Sequence, residues 1–512
     1  VLGYASAVFA GALPALAFPA PAWWWVAWAG LVPLLFVVRA APTAGRGAVR
    51  AWFGMATFIC VTQYWLWPSA GPLLLLLGAG LGALWLPFGW AAHRLLAGEL
   101  TGRGLLAAVT VLPSLWILAE AVRSWDRLGG PWALLGASQW NQPATLASAT
   151  LGGVWLVSFL VVAVNTAAVG AVLLRRPWSI ALPVVLLAIG PAWFWLSPPP
   201  VPGPSMRVAL VQPGDIDDAT ARQAASERLT DGLRGQRVDL VVWGESSVAV
   251  DLTAHPDVAA RLADLSRHVG ADLLVNVDAR APSGGIYKTS VLIGPDGVRG
   301  SYAKTRLVPF GEYVPLRGLL DWATSGTGAA GEDRRRGDGP VVLHTDLHSN
   351  SVAVGPLISF ETLFSDLARR EVELGADLLA YQSATSSYQG SWAQPQLASM
   401  PAVHAVETGR PAVHAALSGV SSAFDAQGRR LAWSPASERG TTVVDVPLGA
   451  RSTAYVGWGG WVIGVALVVV TAWCARSARR SWTGARRWQA PNRGGGPRWW
   501  TTRRCRPPEG RP

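Results

Sequence analysis

Long apolar runs separated by short arginine-bearing segments fill the first 197 residues. The runs cover roughly 4–20 and 22–38, broken by FPAPA, then 51–67, 71–92, 104–122, 153–174 and 178–197. Each is near the ~20 residues that cross a hydrocarbon core, so 1–197 is predicted to hold seven transmembrane helices. No basic stretch or small-residue cleavage site accompanies the first run, which therefore reads as a retained helix. An eighth run, 456–475, reads as a closing transmembrane helix. Residues 123–152, with Trp125, Trp132 and Trp140, are too polar to span and are expected on the bilayer face.

The rhythm changes at SPPPVPGPS, which cannot continue a helix and marks 198–205 as a Pro-rich linker. Short apolar segments then alternate with helical ones. MRVALVQ, VDLVVWG and ADLLVNV read as strands, and ATARQAASERLTDGLRG and PDVAARLADLSRHVG as helices between them. Further strands are predicted near 287–293, 299–303, 341–345 and 352–358, with a basic loop at 326–340. ADLLAYQS, AVHAALS, VSSAFDA and TTVVDV follow as strands. Continuous apolar strands alternating with helices argue an α/β domain over 206–447 with its sheet covered.

Composition agrees with a membrane chain. Charged residues make up only 15% of 512, against about 25% in soluble domains, and hydrophobic residues 51%. The 28 tryptophans suit interfacial belts. A net charge of +11 raises the question of nucleic acid, but the arginines sit between apolar runs and in the last stretch, as positive-inside topology requires. With the N-terminus inside, the loops Arg39–Arg50, Arg94–Arg103 and Arg175–Arg176 fall inside, and Arg123 and Arg127 outside. The domain from 198 is then extracytoplasmic, and the tail 476–512, rich in Arg, Gly and Pro, is a disordered cytoplasmic segment. Glu120, near the end of the fifth run, is expected to be solvated at the interface, and Asn165 to bond between helices.

The cysteines, Cys60, Cys474 and Cys505, show no disulfide framework or metal spacing, and none lies between 200 and 455. No cofactor or metal is expected, and a cysteine nucleophile in the α/β domain is excluded. Only two lysines occur, Lys288 and Lys304. In a chain that otherwise uses arginine, a retained lysine hints at a task for a compact ammonium. The hint weighs more for Lys304 than for Lys288.

Three stretches carry chemistry. DLVVWGESS puts Glu245 at a strand end, YAKTRLVPFGEYVP puts Lys304 just past another, and SVAVGPLISFETLF puts Ser359 on a strand-to-helix elbow. A carboxylate base, an ammonium and an elbow nucleophile are the parts acyl transfer needs. Singly they read as a solvated cap, a surface charge and an N-cap serine; together, in this order, they say more. His404 and His414 read as packing histidines.

With these motifs the chain resembles the apolipoprotein N-acyltransferases. These are multi-helix membrane proteins with an extracytoplasmic nitrilase-like (carbon–nitrogen hydrolase) αββα-sandwich and one closing helix, about eight transmembrane helices in all. The resemblance covers nearly everything from 4 to 475, most specifically YAKTRLVPFGEYVP and GPLISFETLF. It implies Glu245 as general base, Lys304 as stabiliser of the intermediate, and Glu312 and Glu361 as supporting residues. Phe360, Tyr388 and Trp392 are implied at the substrate surface, the last two with Met400 where the family has a mobile lid. The implied reaction moves a fatty acyl chain from a phospholipid donor to the N-terminal amine of a diacylated lipoprotein in the bacterial plasma membrane. A polyprenol-phosphate mannose synthase, fused or associated in some relatives, is a further partner the resemblance offers. The chain departs from the family where Ser359 replaces the nucleophilic cysteine, Gly244 a proline and Phe360 a tyrosine, and where QSATSS and LSGVSS lack asparagines. Two readings stay open: an enzyme using Ser359, and a catalytically degenerate lipid- or lipoprotein-binding scaffold.

Overall fold

Helices account for most of residues 2–196, as the apolar runs require, but fewer of them are long. The computed structural model describes residues 2–282, 284–315, 317–318, 332–347 and 350–488. Among the described residues, five helices are long and apolar enough to cross a membrane: Leu73–Leu96, Gly102–Arg123, Ala149–Leu174, Pro177–Leu196 and Trp461–Arg479. The expected eight are therefore corrected to five. The first two runs form the shorter apolar helices Leu2–Ala17 and Trp24–Arg39. In the first, Pro14 opens a 3₁₀ turn after Ala12; in the second, a 3₁₀ turn over Trp24–Trp28 precedes Val32–Arg39 with Pro33 in its first turn. Proline lacks the N–H that a continuous helix would use. The third run is the helix Ala44–Thr62, which contains Arg46 and Arg50.

Much of 123–152, expected on the bilayer face, packs inside the protein, although Trp125 is exposed. Leu134, Leu135 and Trp140 are buried, and Trp140 stacks on Trp433 of the α/β domain at 4.9 Å. Gln139 accepts from the Trp28 indole at 2.9 Å and from Thr145 at 2.9 Å. Glu120 is 1% exposed and accepts from the Leu135 backbone N–H at 2.8 Å, so it is a buried carboxylate and not an interfacial one. Asn165 does bridge helices: its Oδ1 accepts from Leu31 N at 3.0 Å and its Nδ2 donates to Ala27 O at 2.8 Å.

Among the described residues, twelve strands build two six-stranded sheets. The first comprises β1 (Ser205–Gln212), β2 (Leu240–Trp243), β3 (Asp272–Arg280), β4 (Ile286–Gly294), β5 (Gly297–Ala303) and β12 (Gly440–Pro447), in the order β12-β1-β2-β3-β4-β5. The second comprises β6 (Leu343–Leu347), β7 (Asn350–Ile358), β8 (Leu378–Ser383), β9 (Ala412–Ala416), β10 (Ser421–Phe424) and β11 (Arg430–Ser434), in the order β11-β10-β9-β8-β7-β6. In each, three central strands run parallel and the flanking pairs antiparallel.

Side-chain alternation sets the layers. Along β1, Met206, Val208 and Leu210 point into the core between the sheets, with Val354, Leu378 and Val413 from the second sheet. Ala209 and Val211 point the other way, into a core shared with Leu262 and Val269 of the helix Pro256–Val269. The second sheet is covered by Ser365–Glu373 and Ala393–Thr408, whose core also takes in Leu134, Trp140 and Val157 of the helical portion. The result is an αββα sandwich whose second helical layer is continuous with the membrane helices. One link is specific. The helix Ala149–Leu174 breaks at Gly152 and Gly153, the latter at φ 67°, and Glu407 Oε1 accepts from the freed Val154 N–H at 2.6 Å. A side chain at Gly153 would also meet the Tyr455 ring at 2.5 Å.

The chain forms two compact units, 1–469 and 470–512. The closing helix runs Trp461–Trp488, past the expected end at 475, so 476–488 is helical. The rest of the expected disordered tail, 489–512, lies outside the described residues, as does part of the expected basic loop 326–340.

Candidate active site

Glu245, Lys304 and Ser359 follow β2, β5 and β7 directly, so all three sit at carboxyl ends of strands, where layered α/β folds place their sites. The inter-sheet packing brings them together. Glu245 approaches the second sheet through Gly244, where any Cβ would stand 2.2 Å from Leu417 N. That contact explains a glycine at this position. The Glu245 N–H donates to Ser383 O at 3.1 Å, and Glu245 Oε2 accepts from Ala384 N at 3.0 Å.

The charges then form one buried cluster. Lys288 Nζ lies 2.8 Å and Lys304 Nζ 3.6 Å from Glu245 Oε1. Lys304 Nζ donates to Glu312 Oε1 at 2.8 Å, and Lys288 Nζ stands 3.6 Å from the same oxygen and 3.5 Å from Asp278. Glu312 Oε2 accepts from Val308 N at 2.8 Å, which closes its own loop around Lys304. The Ser359 side chain is within reach of the Glu245 carboxylate and adds a small push to lower its pKa. Burial works to raise the Glu245 pKa, but the ammonium groups of Lys288 and Lys304 outweigh it and hold the carboxyl at about 2. Burial opposes the Lys288 charge as well, yet Glu245, Glu312 and Asp278 push its pKa above the usual lysine value.

Backbone strain concentrates here. Ser359 has φ 54°, Ser246 φ 56° and Phe310 φ 61°, a region that side chains rarely adopt. At Ser359 the strain turns β7 sharply into the 3₁₀ turn Ser359–Leu363 and leaves the hydroxyl at the strand end. Glu361 locks that elbow to the Lys304 loop. Its Oε1 accepts from Tyr302 OH at 2.8 Å, Thr305 N at 2.7 Å and Arg306 N at 3.0 Å, while Oε2 accepts from Ile358 N at 2.9 Å. Among the described residues it bonds neither lysine; it positions both segments.

The residues expected at the substrate surface diverge. Tyr388 packs edge-on against Trp65 at 4.7 Å, and the Glu245 charge reaches it. Trp392 packs on Tyr64 at 5.4 Å, and its backbone N–H donates to the Tyr64 hydroxyl at 3.3 Å. Both lie where the helical portion meets the sandwich. Phe360, by contrast, is 5% exposed, packed edge-on against Phe364 at 5.0 Å and close to Gly130. Met400 is likewise buried in the core. His404 bonds Tyr381 OH through Nδ1 at 2.9 Å, and His414 bonds Ser383 Oγ through Nε2 at 2.7 Å. Burial lowers their pKa values to about 3 and about 4, which keeps both neutral. Among the described residues no cluster of His, Cys, Asp and Glu has metal-binding geometry.

Sequence reasoning underweighted Lys288, the nearest cation to Glu245. It lies inside β4, where IYKTSVLIG reads as ordinary alternation. Its rarity was the usable signal: both lysines of the chain converge on Glu245.

A sandwich with this carboxylate–ammonium–hydroxyl cluster defines a class, and the comparisons name it. Residues 207–455 match the carbon-nitrogen hydrolase family and residues 10–167 the apolipoprotein N-acyltransferase N-terminal domain. The apolipoprotein N-acyltransferase of Pseudomonas syringae pv. tomato is 29% identical over 439 residues, covering 81% of this chain and 83% of that protein. That of Geobacter metallireducens is 29% identical over 510 residues, covering 93% and 96%. A solved carbon-nitrogen hydrolase from Helicobacter pylori G27 aligns with TM-score 0.38 at 14% identity, covering 48% of this chain and 90% of that one. The chain belongs to the apolipoprotein N-acyltransferase/nitrilase superfamily and is a multi-pass membrane protein.

Proposed function

We propose that this protein transfers a fatty acyl chain from a phospholipid to the N-terminal amine of diacylated lipoproteins, through an ester on Ser359, on the extracytoplasmic side of the bacterial plasma membrane. The observation that carries the reading is the convergence of Ser359, held at φ 54° at the end of its strand, with Glu245 and the two ammonium groups on that carboxylate.

In the first half-reaction Ser359 Oγ attacks the donor's ester carbonyl and its proton passes to Glu245. Lys304 stands beside the oxyanion that forms. Collapse breaks the ester bond, and Glu245 returns the proton to the departing lysophospholipid oxygen, leaving an acyl ester on Ser359. In the second half the acceptor amine attacks that ester, Glu245 takes the amine proton and Ser359 recovers it on leaving. Glu312 fixes Lys304, and Glu361 holds the elbow against the Lys304 loop. Tyr388 and Trp392, at the junction with the helical portion, lie where lipid would enter.

One observation favours the second reading, a degenerate scaffold that binds lipid or lipoprotein, with a polyprenol-phosphate mannose synthase as a candidate partner. A carboxylate held at about 2 is a weak base for a hydroxyl, far weaker in effect than for a thiol of pKa about 8.5. The deciding experiment supplies phospholipid and a diacylated lipopeptide to the purified protein and weighs the peptide. A mass gain of one acyl chain on the amine supports transfer. Unmodified peptide, with Ser359→Cys restoring transfer, supports the scaffold.

A further inference from the structure

A cavity of about 820 Å³ opens beside the loop that carries Lys304 and Glu312. Leu307, Val314 and Pro315 give it an apolar wall, and four arginines, Arg127, Arg334, Arg335 and Arg336, also line it. Two acids share the lining, but each is engaged from outside it: Glu332 by Arg280 and Asp333 by Arg317. Arg336 is tied to Asp126 at 3.4 Å, and Arg334 stands 3.6 Å from Asp278. Arg127 and Arg335 make no ion pair among the described residues. Glu332 and Asp333 also feel the Arg335 charge, so compensation is partial: four arginines against two acids leave the lining net positive next to apolar surface.

Its position is equally specific. The Arg334 N–H donates to Glu312 O at 2.8 Å, so the arginine run is stitched to the active-site loop. Arg127 follows the membrane helix Gly102–Arg123, with its guanidinium 5.6 Å from the ring of Trp125. Trp125 is exposed, as an interfacial tryptophan is. The cavity therefore joins the end of a membrane span to the catalytic loop.

We infer that this cavity binds the phosphate of an anionic phospholipid. Guanidinium groups take phosphate oxygens in a fixed fork, and the apolar wall takes the adjoining glycerol and acyl carbons. The inference rests on the reading that a phospholipid is the donor, and adds that its headgroup carries net negative charge. The shared chemistry is a phosphate ester, which a soluble phosphate could also present.

The test measures lipid retention by the full chain in mixed micelles of phosphatidylglycerol and phosphatidylcholine with identical acyl chains, by native mass spectrometry. Arg127→Gln/Arg335→Gln, two substitutions outside the lysine–carboxylate cluster, is compared with the parent. The parent is expected to retain phosphatidylglycerol preferentially and the double variant to lose that preference by about tenfold. The other arginines of the chain contribute equally to both proteins, so the difference reports on the cavity. No preference in the parent, or one unchanged in the double variant, overturns the inference. Inorganic phosphate is expected not to displace the lipid; displacement at low millimolar concentration would overturn the lipid assignment and leave a soluble phosphate as ligand. Acyl transfer is not measured, so a lipid preference without transfer would separate failure of the catalytic reading from failure of this one.

Discussion

The two sheets bring opposite electrostatics to one pocket. The first contributes fixed charge: Glu245, Lys288 and Lys304, with Glu312 and Asp278 around them. The second contributes the hydroxyl of Ser359, and Glu371, Glu407, His404 and His414, buried in that sheet and the helices covering it, are held neutral. Burial pushes Glu371 up to about 9, helped by the Glu361 charge, and Glu407 up to about 8. Burial also depresses His404 and His414 far below neutral pH. Glu361, the carboxylate nearest in sequence, is committed to Tyr302, Thr305, Arg306 and Ile358, so under the proposed mechanism Ser359 is activated from across the gap between the sheets. The difference teaches that the base and the cations can be tested separately from the fold that presents the hydroxyl.

The largest effect should come from removing the bridge itself. Ser359→Ala is expected to abolish acyl-enzyme formation. Glu245→Gln is expected to slow it by about 10²–10⁴-fold, the range for a general base, in a single-turnover assay. Equal rates for Glu245→Gln and the parent would break the comparison, because the charged sheet would then contribute nothing to the hydroxyl.

Next is Lys288. With Lys288→Met, the Glu245 pKa should rise from about 2 toward the ordinary glutamate value of about 4.3, and the acid limb of acyl-enzyme formation should move up with it. An unmoved limb would assign the depression to Lys304 alone. The same depressed pKa has a stability signature. Ionised Glu245 stabilises the fold fully above the unfolded-state pKa, and that contribution is lost as pH falls through about 4.5 toward 2.

On the neutral side the sign reverses. The folded pKa of Glu371 lies above its unfolded value, so its contribution is fully present below about pH 4.5 and is lost as pH rises toward 9. Glu371→Gln should remove that loss, flattening the fall in thermal stability between pH 6 and 9, by up to about 1 kcal/mol per pH unit. An unchanged slope would place the proton elsewhere. The smallest effect is expected at Glu407→Gln. The amide oxygen can still accept from Val154 at the Gly152–Gly153 break, so stability below about pH 4.5 should change little, and the gain should build between about pH 4.5 and 8 and level off above it.

How much of this could be read beforehand depended on whether local pattern reports on distant packing. The strands and the three site segments were legible because apolar runs end abruptly at Glu245, Lys304 and Ser359. Glu361 was placed only by resemblance, and its bonds to Thr305 and Arg306 join segments that no local pattern relates. Lys288 was hidden by strand alternation, since β4 shows the same period whichever layer its face meets. The buried part of 123–152, with Leu134, Leu135 and Trp140, was misplaced because tryptophan and leucine suit a bilayer face and a protein interior equally. Glu120 was misplaced with them, since the N–H that satisfies it comes from Leu135. The helix count failed because hydropathy measures apolar length and does not register where Pro14 and Pro33 change the helix type.

The central claim is that charge from one sheet activates a hydroxyl from the other, and the mass of the Ser359-bearing peptide after incubation with phospholipid tests it most directly. The account predicts a gain of one fatty acyl chain in the parent protein and none in Glu245→Gln. A parent peptide that stays unmodified while Ser359→Cys becomes acylated would contradict it, since the pocket would then be assembled but unable to activate the residue it holds.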